Sequence, residues 1–256
     1  MKAMNQKLPL SALMITYNEA DNLAEVLPNL DRADEIVILD SYSTDATKQL
    51  ALSHGEGLRF YEQKFVDFTS QRNATLEKAT HDWVLFIDGD ERIPEALWQE
   101  IEAIVCSEGP THDAYYFYRK FMYCGKPIHF GGTQSDKNYR LFKKSKAHYT
   151  QERLVHETLT VQGTTGALKT KLIHYSFTDY AIYHRKMMQY GRLKAKELRL
   201  KGRNGNLFKL IFKPIYKFLY SYLIRLGLFD GYPGLVLCYL QAKSVFVTQR
   251  ELFKKP

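Results

Sequence analysis

The first hundred residues constrain the fold most, because short apolar runs there alternate with helical patterns. Leu10 to Thr16 is such a run, and after it Leu23, Val26, Leu27 and Leu30 recur at helical spacing. Ile36-Val37-Ile38-Leu39 comes next and ends at Asp40; Ser43 or Thr44 then offers an N-cap for a helix that Gly55 closes. A third run, Leu58 to Tyr61, precedes a helix from about Thr69 to Thr80. The fourth, Trp83 to Ile87, ends in Asp88-Gly89-Asp90, and Pro94 opens a helix with Leu97, Ile101, Ile104 and Val105 on one face. This rhythm predicts βαβ units and a parallel sheet. Right-handed crossovers set the C-terminal ends of such strands on one edge, where open α/β folds bind ligands. Thr16 to Glu19, Asp40 and Asp88 to Asp90 stand at three of those ends, so they are expected to meet in one crevice.

After Pro110 the pattern changes to Tyr- and Phe-rich alternating stretches: Ala114 to Met122, Tyr139 to Lys143, Leu154 to Val161 and Leu168 to Phe177. They predict strands of a mixed region, with turns at Gly125-Lys126-Pro127 and Gly131-Gly132. Thr178 to Lys201 predicts a helix capped by Thr178 or Asp179, and Gly202 to Asn206 a break. The net charge of +8 sits in the tail: from Thr178 onward there are 16 Lys and Arg against 4 Asp and Glu, against 20 and 24 in residues 1 to 177.

Leu207 to Ile224 is apolar except for Lys209, Lys213 and Lys217 on one helical face, with Pro214 and Ser221. A helix of this kind is too charged to cross a bilayer and too apolar to stand alone in water, which predicts an amphipathic helix lying in the membrane interface. Leu226 to Val247 continues the apolar character, with Asp230, Gly231, Pro233 and Gly234 interrupting it. The expected organisation is an α/β domain over residues 1–177 and a basic, helical, membrane-surface region over 178–256. The lysines interleave with long aliphatic runs rather than exposed loops, which argues against a nucleic-acid partner.

Three widely spaced cysteines, Cys106, Cys124 and Cys238, fit a reducing compartment, and Met1 to Pro9 lacks the apolar core of a secretion signal. These features predict a cytoplasmic protein, peripheral on the cytoplasmic face of a membrane. The composition, 45% hydrophobic and 25% charged, excludes long disorder.

Asp88-Gly89-Asp90 presents two carboxylates at a strand end beside a flexible glycine. Hard divalent cations such as Mg²⁺ or Mn²⁺ favour such oxygen sites, usually shared with substrate phosphates. Taken alone, the tripeptide also suits a solvated turn with helix-capping acids. A metal there would stabilise the negative charge on a departing diphosphate. An acceptor hydroxyl attacking in line then needs only a base, for which Glu157 and Asp136 are the candidates after the metal motif. His174 is open to three readings: a third metal ligand, a phosphate contact or a packed core residue. Arg140 suits either a diphosphate contact or a structural ion pair.

Four ordered blocks carry a resemblance: Ile15-Thr16-Tyr17-Asn18-Glu19, Ile38-Leu39-Asp40-Ser41-Tyr42-Ser43-Thr44-Asp45, Gln71-Arg72-Asn73, and Phe86 through Arg92. In these the chain resembles the family 2 glycosyltransferases of GT-A fold. Tyr139-Arg140-Leu141-Phe142, Val155-His156-Glu157 and His174-Tyr175-Ser176 look like blocks of the bacterial subgroup that builds the inner core of lipopolysaccharide. The resemblance implies a Rossmann-like GT-A domain that moves a hexose, in that subgroup glucose, from a UDP-sugar to a glycolipid acceptor, with inversion. It implies Thr16, Tyr17 and Glu19 in the nucleotide pocket, Asp40 on the base, and Arg72 and Asn73 near the ribose or diphosphate. Asp88 would touch the ribose or the metal's water shell, Asp90 the metal itself, and Glu157 would be the base. Tyr42 stands where many members carry glycine, so the turn there is expected to differ in shape. The inner membrane is the implied location.

Two rival readings come from other classes. A haloacid-dehalogenase-type phosphatase also ends a strand in D-x-D, but wants Thr or Val soon after and uses its first strand, where here Glu91-Arg92 follow the fourth. A non-catalytic membrane-binding module is disfavoured by the joint presence of Asp40, Asp88, Asp90 and Glu157.

Overall fold

The computed structural model describes residues 7–150, 158–177 and 179–254, which form two compact units. One gathers residues up to 118 together with 137–173, and the other gathers Arg119–Asp136 with the chain from His174 onward. A single division at residue 177 is therefore not how the chain is parted. Phe121, Tyr123 and Ile128 pack with Tyr183, Val236, Leu237 and Leu240, and that apolar cluster ties Arg119–Asp136 to the C-terminal helices.

The first unit begins β1 (Leu8–Thr16), α1 (Ala20–Asn29), β2 (Ala33–Asp40), α2 (Thr47–Ser53), β3 (Leu58–Glu62), α3 (Phe68–Lys78) and β4 (Trp83–Phe86). It continues through β5 (Glu91–Arg92), α4 (Glu95–Val105) and the first half of β6 (Ala114–Tyr123); β7 (Lys126–Ile128) belongs to the second unit. Then follow β8 (Lys137–Lys143), β9 (Ala147–Thr150), β10 (Thr158–Val161), β11 (Thr165–Ala167) and the start of β12 (Leu172–Phe177). The strands neighbour one another in the order β3-β2-β1-β4-β8-β6. The first four are mutually parallel, and β8 runs antiparallel to both β4 and β6. This is the mixed α/β arrangement expected.

The central strands are apolar on both faces because both are covered. Side chains alternate across a strand, and here they alternate between two cores. Ala12, Met14, Ile36, Ile38, Leu85 and Ile87 enter one cluster with α1 and α4; Leu13, Val37, Val84 and Phe86 enter the other with Leu76 and Tyr149. Helix α3 starts where the Asp67 carboxylate accepts from the Ser70 N–H at 2.7 Å.

Two local expectations change. Helix α2 starts at Thr47 rather than after Ser43 or Thr44, because those side chains are drawn into hydrogen bonds with Asp40 and Asn18. The turn expected over Gly125-Lys126-Pro127 falls at Cys124 and Gly125, both at positive φ, while Lys126 and Pro127 already pair with β6. β10 falls within the strand expected over Leu154 to Val161, of which 154–157 lie outside the described residues, and its antiparallel partner β9, apart from the main sheet, adds to that expectation.

The second unit holds α5 (Tyr180–Leu200), α6 (Leu207–Leu219) and α7 (Gly231–Glu251). Asp179 caps α5 and Asn206 caps α6, each by accepting a backbone N–H. Gly231, Pro233 and Gly234 do not interrupt a helix but open α7, where a missing N–H costs nothing. Helices α5 and α7 cross so closely at Gly191 that a Cβ there would lie 2.6 Å from the Ser244 carbonyl. Among the described residues no single helix is long and apolar enough to cross a membrane; Leu207–Ile224 and Gly227–Glu251 pass only as a pair bent by 73°.

Candidate active site

Two strand-to-helix loops are stitched together at the C-terminal edge of the first unit's sheet. Thr16 and Asp40 are register partners on β1 and β2, and the Thr16 hydroxyl donates to the Asp40 carboxylate at 2.7 Å. That carboxylate also accepts from the Ser43 N–H and hydroxyl, both at 2.6 Å, and is fully buried. Asp40 thus shapes the turn beneath Ser41 to Ser43. Tyr42 takes φ +61° there, the left-handed region that favours glycine. Asn18, at φ +55°, accepts from the Thr44 N–H, and its own N–H donates to Ser43. The Glu19 N–H donates to the Thr47 hydroxyl, and the Ala20 N–H to Asp45.

The Asp88-Gly89-Asp90 turn is braced by arginines. Arg72 donates to one Asp88 oxygen at 2.9 Å and Arg140 to the other. Arg140 also pairs with Glu91 at 2.5 Å, and this pair is almost wholly buried, with side chains 4% and 0% exposed. Glu91 reaches back to accept the Asp88 N–H, while Arg92 donates to the Gly89 carbonyl at 2.6 Å. Burial alone would raise the Asp88 carboxyl, but Arg140 and then Arg72 outweigh it and hold the group far below the usual carboxylate range.

Glycine at position 89 has a steric reason. A Cβ there would sit 2.8 Å from the Glu19 Oε2, so the absence of a side chain lets Glu19 lie over the turn. Burial raises the Glu19 carboxyl; a hydrogen bond from Asn22 opposes the rise, and Asp90, Asp88 and Asp45 add to it. Negative charge from three chain segments is therefore concentrated at one strand edge, as the spacing of the motifs predicted. Beside it opens a cavity of about 520 Å³ lined by Thr16, Tyr17, Glu19 and Ser41 on one side and Lys64, Phe65 and Phe68 on the other. Phe65 and Phe68 form an edge-to-face pair with centroids 5.0 Å apart.

The other expected residues have these places. Arg72 is buried and lies over the Phe86 ring. The Asn73 amide is spent on the backbone of Tyr149, donating to its carbonyl and accepting from its N–H, both at 2.9 Å. Asp136, in the second unit, pairs with Arg119. His174, also in the second unit, is buried with its ring 5.0 Å from that of Phe121. Glu157 lies outside the described residues. Glu91, Arg92, Asn18 and Thr47 emerge as site-forming residues; their signal was only adjacency to the motif, because bracing depends on side chains meeting in space.

A family model described as glycosyl transferase family 2 matches residues 11–191. The chain belongs to that family. The enzyme is 30% identical to the lipopolysaccharide core biosynthesis glycosyltransferase LpsC of Rhizobium meliloti over 98% of this chain and 94% of that protein. It is 28% identical to an uncharacterized glycosyltransferase of Rickettsia felis, over 89% of this chain and 83% of the relative. Among solved structures, S. aureus TarS 1-349 in complex with UDP-GlcNAc superposes with a TM-score of 0.50 at 14% identity, covering 93% of this chain and 91% of that one. The protein is a glycosyltransferase of GT-A fold.

The carboxylate set fits a divalent cation of the kind held jointly by one or two protein carboxylates and substrate phosphates. Among the described residues no group of three or more His, Cys, Asp or Glu forms a protein-only metal cage. Both Asp88 oxygens are engaged by arginine. Burial first, and Asp90, Asp88 and Asp45 after it, raise the Glu19 carboxyl, and a cation beside such a group would favour its ionised form.

Proposed function

We propose that this glycosyltransferase moves a hexose, with glucose as first choice, from a UDP-sugar to a membrane-associated glycolipid, the heptose of the lipopolysaccharide inner core. The observation that carries the donor half is the convergence of Glu19, Asp88 and Asp90 beside the cavity. The acceptor half rests on similarity to LpsC over nearly the whole chain.

In this reading Tyr17, Phe65 and Phe68 bound the nucleoside by apolar contact, and Ser41 rather than the buried Asp40 faces it. Thr16 and Glu19 line the same wall, and Lys64 supplies positive charge for the diphosphate. Arg72 and Arg140 keep Asp88 ionised and fixed in direction. Asp90, with Asp88 beside it, would hold Mg²⁺ or Mn²⁺, whose charge stabilises the leaving diphosphate. Glu157 takes the acceptor proton in a single inverting displacement, with Asp136 as the reserve base. Helix α6 exposes Phe208, Ile211, Phe212 and Ile215 and carries Lys209 and Lys213, which supports docking on the anionic cytoplasmic face of the inner membrane.

The test is release of nucleoside diphosphate from a panel of nucleotide sugars, with heptose-terminated glycolipid and with Mn²⁺ or chelator. UDP-glucose with glycolipid and metal is expected to give the highest turnover. Equal release without glycolipid acceptor would contradict the reading.

A further inference from the structure

Two depressions on the second unit share a lysine contact. The first is an apolar groove of about 450 Å³ between α6 and α7, walled by Ile215, Phe218, Tyr239, Ala242 and Phe246, with Lys243 at its edge. The second, of about 410 Å³, lies on α5 among His184, Arg185, Met188 and Arg192. Lys243 Nζ donates to His184 Nε2 at 2.9 Å and so links them. An ammonium has no lone pair, so the ring nitrogen is the acceptor and brings no negative charge to Lys243, which also lies over the Tyr239 ring at 5.8 Å. Among the described residues Lys243, Arg185 and Arg192 form no ion pair; Glu197 and Glu251 are occupied by Lys194, Lys201, Arg250 and Lys254.

An apolar slot flanked by cations that have no carboxylate partner among the described residues is complementary to a molecule with one hydrocarbon chain beside one negative charge. We propose that the α6–α7 groove takes one acyl chain of an anionic membrane phospholipid, whose phosphate is held by Lys243 and Arg185. The proposal rests on the membrane-surface reading above and adds to it a discrete, saturable site. Diffuse adsorption needs only lysines near anionic headgroups. A groove instead makes affinity depend on chain length, because each methylene removed from water contributes separately. Ile215 is 52% exposed, so a substitution there alters the groove mouth without disturbing a core.

The experiment titrates the full-length protein with short-chain phosphatidylglycerol and phosphatidylcholine below their micelle concentrations, and separately with vesicles of each lipid. We expect one equivalent of short-chain phosphatidylglycerol to bind, tightening about fourfold per added methylene until the groove is filled. Lys243→Gln should weaken phosphatidylglycerol about fivefold and leave phosphatidylcholine unchanged. Ile215→Asp should weaken both lipids. Lys213→Glu, outside the groove, should weaken vesicle adsorption alone, and unchanged melting temperatures would show that the variants are folded. Adsorption to anionic vesicles without saturable short-chain binding would overturn the site and leave the membrane reading standing. Short-chain binding without vesicle adsorption would do the reverse. Self-association that Ile215→Asp abolishes, with no lipid bound, would assign the groove to a second copy and overturn the proposal.

Discussion

Arg140 carries two carboxylates at once while 4% exposed, and such a group is stabilising only while its partners remain. Arg140→Leu would take a counter-charge away from Glu91, which is fully buried. A loss of about 3–5 kcal/mol in chemical denaturation is expected, and Arg140→Lys should recover only part because a compact, strongly hydrated ammonium on a flexible stem replaces a weakly hydrated planar guanidinium. Glu35 gives a pH-dependent counterpart on β2. Burial would raise its carboxyl, but hydrogen bonds from Ser11 and Thr80, with Arg59 nearby, outweigh that and hold it below its ordinary value of 4.5. A carboxyl depressed in the folded state contributes stability that is complete above its unfolded value and fades as pH falls through the folded one. Denaturation midpoints should therefore fall as pH drops below about 4.5, and Glu35→Gln should flatten that slope.

Helix α6 shows how an element can be built for a surface rather than a core. None of its residues is buried, and Phe208 and Tyr216 are each 67% exposed. Reversing Lys209 and Lys213 to Glu should weaken vesicle binding by about 1 kcal/mol per removed positive charge, read by co-sedimentation at low salt. Elements of this kind were legible in the sequence for a physical reason: a strand buried on both faces is largely apolar along its length, and an amphipathic helix is apolar on one side. β1, β2, β4 and α6 declare themselves that way. The start of α2 did not, because Ser43 and Thr44 are good caps whose hydroxyls a buried carboxylate had already claimed. Nor did the bracing by Asp40, since a strand-end position suits facing a ligand or bracing a turn equally, and its bonds to Thr16 and Ser43 depend on side chains meeting in space. Pro233 and Gly234 read as breakers because composition does not reveal that a helix begins just before them.

At the scale of the whole molecule, charge and chemistry divide between the two units. The first concentrates carboxylates at a strand edge beside a cavity, and the second carries the surplus of lysine and arginine on helices with exposed apolar faces. A donor site built from repelling carboxylates is one that should bind diphosphate weakly until a cation joins it. Calorimetric titration of UDP into the protein, with Mn²⁺ and with chelator, tests this directly. Tight binding is expected only with the metal, and Asp90→Ala should lose that gain while melting at the wild-type temperature. Equal UDP affinity with and without metal, or an undiminished metal effect in Asp90→Ala, would contradict the account.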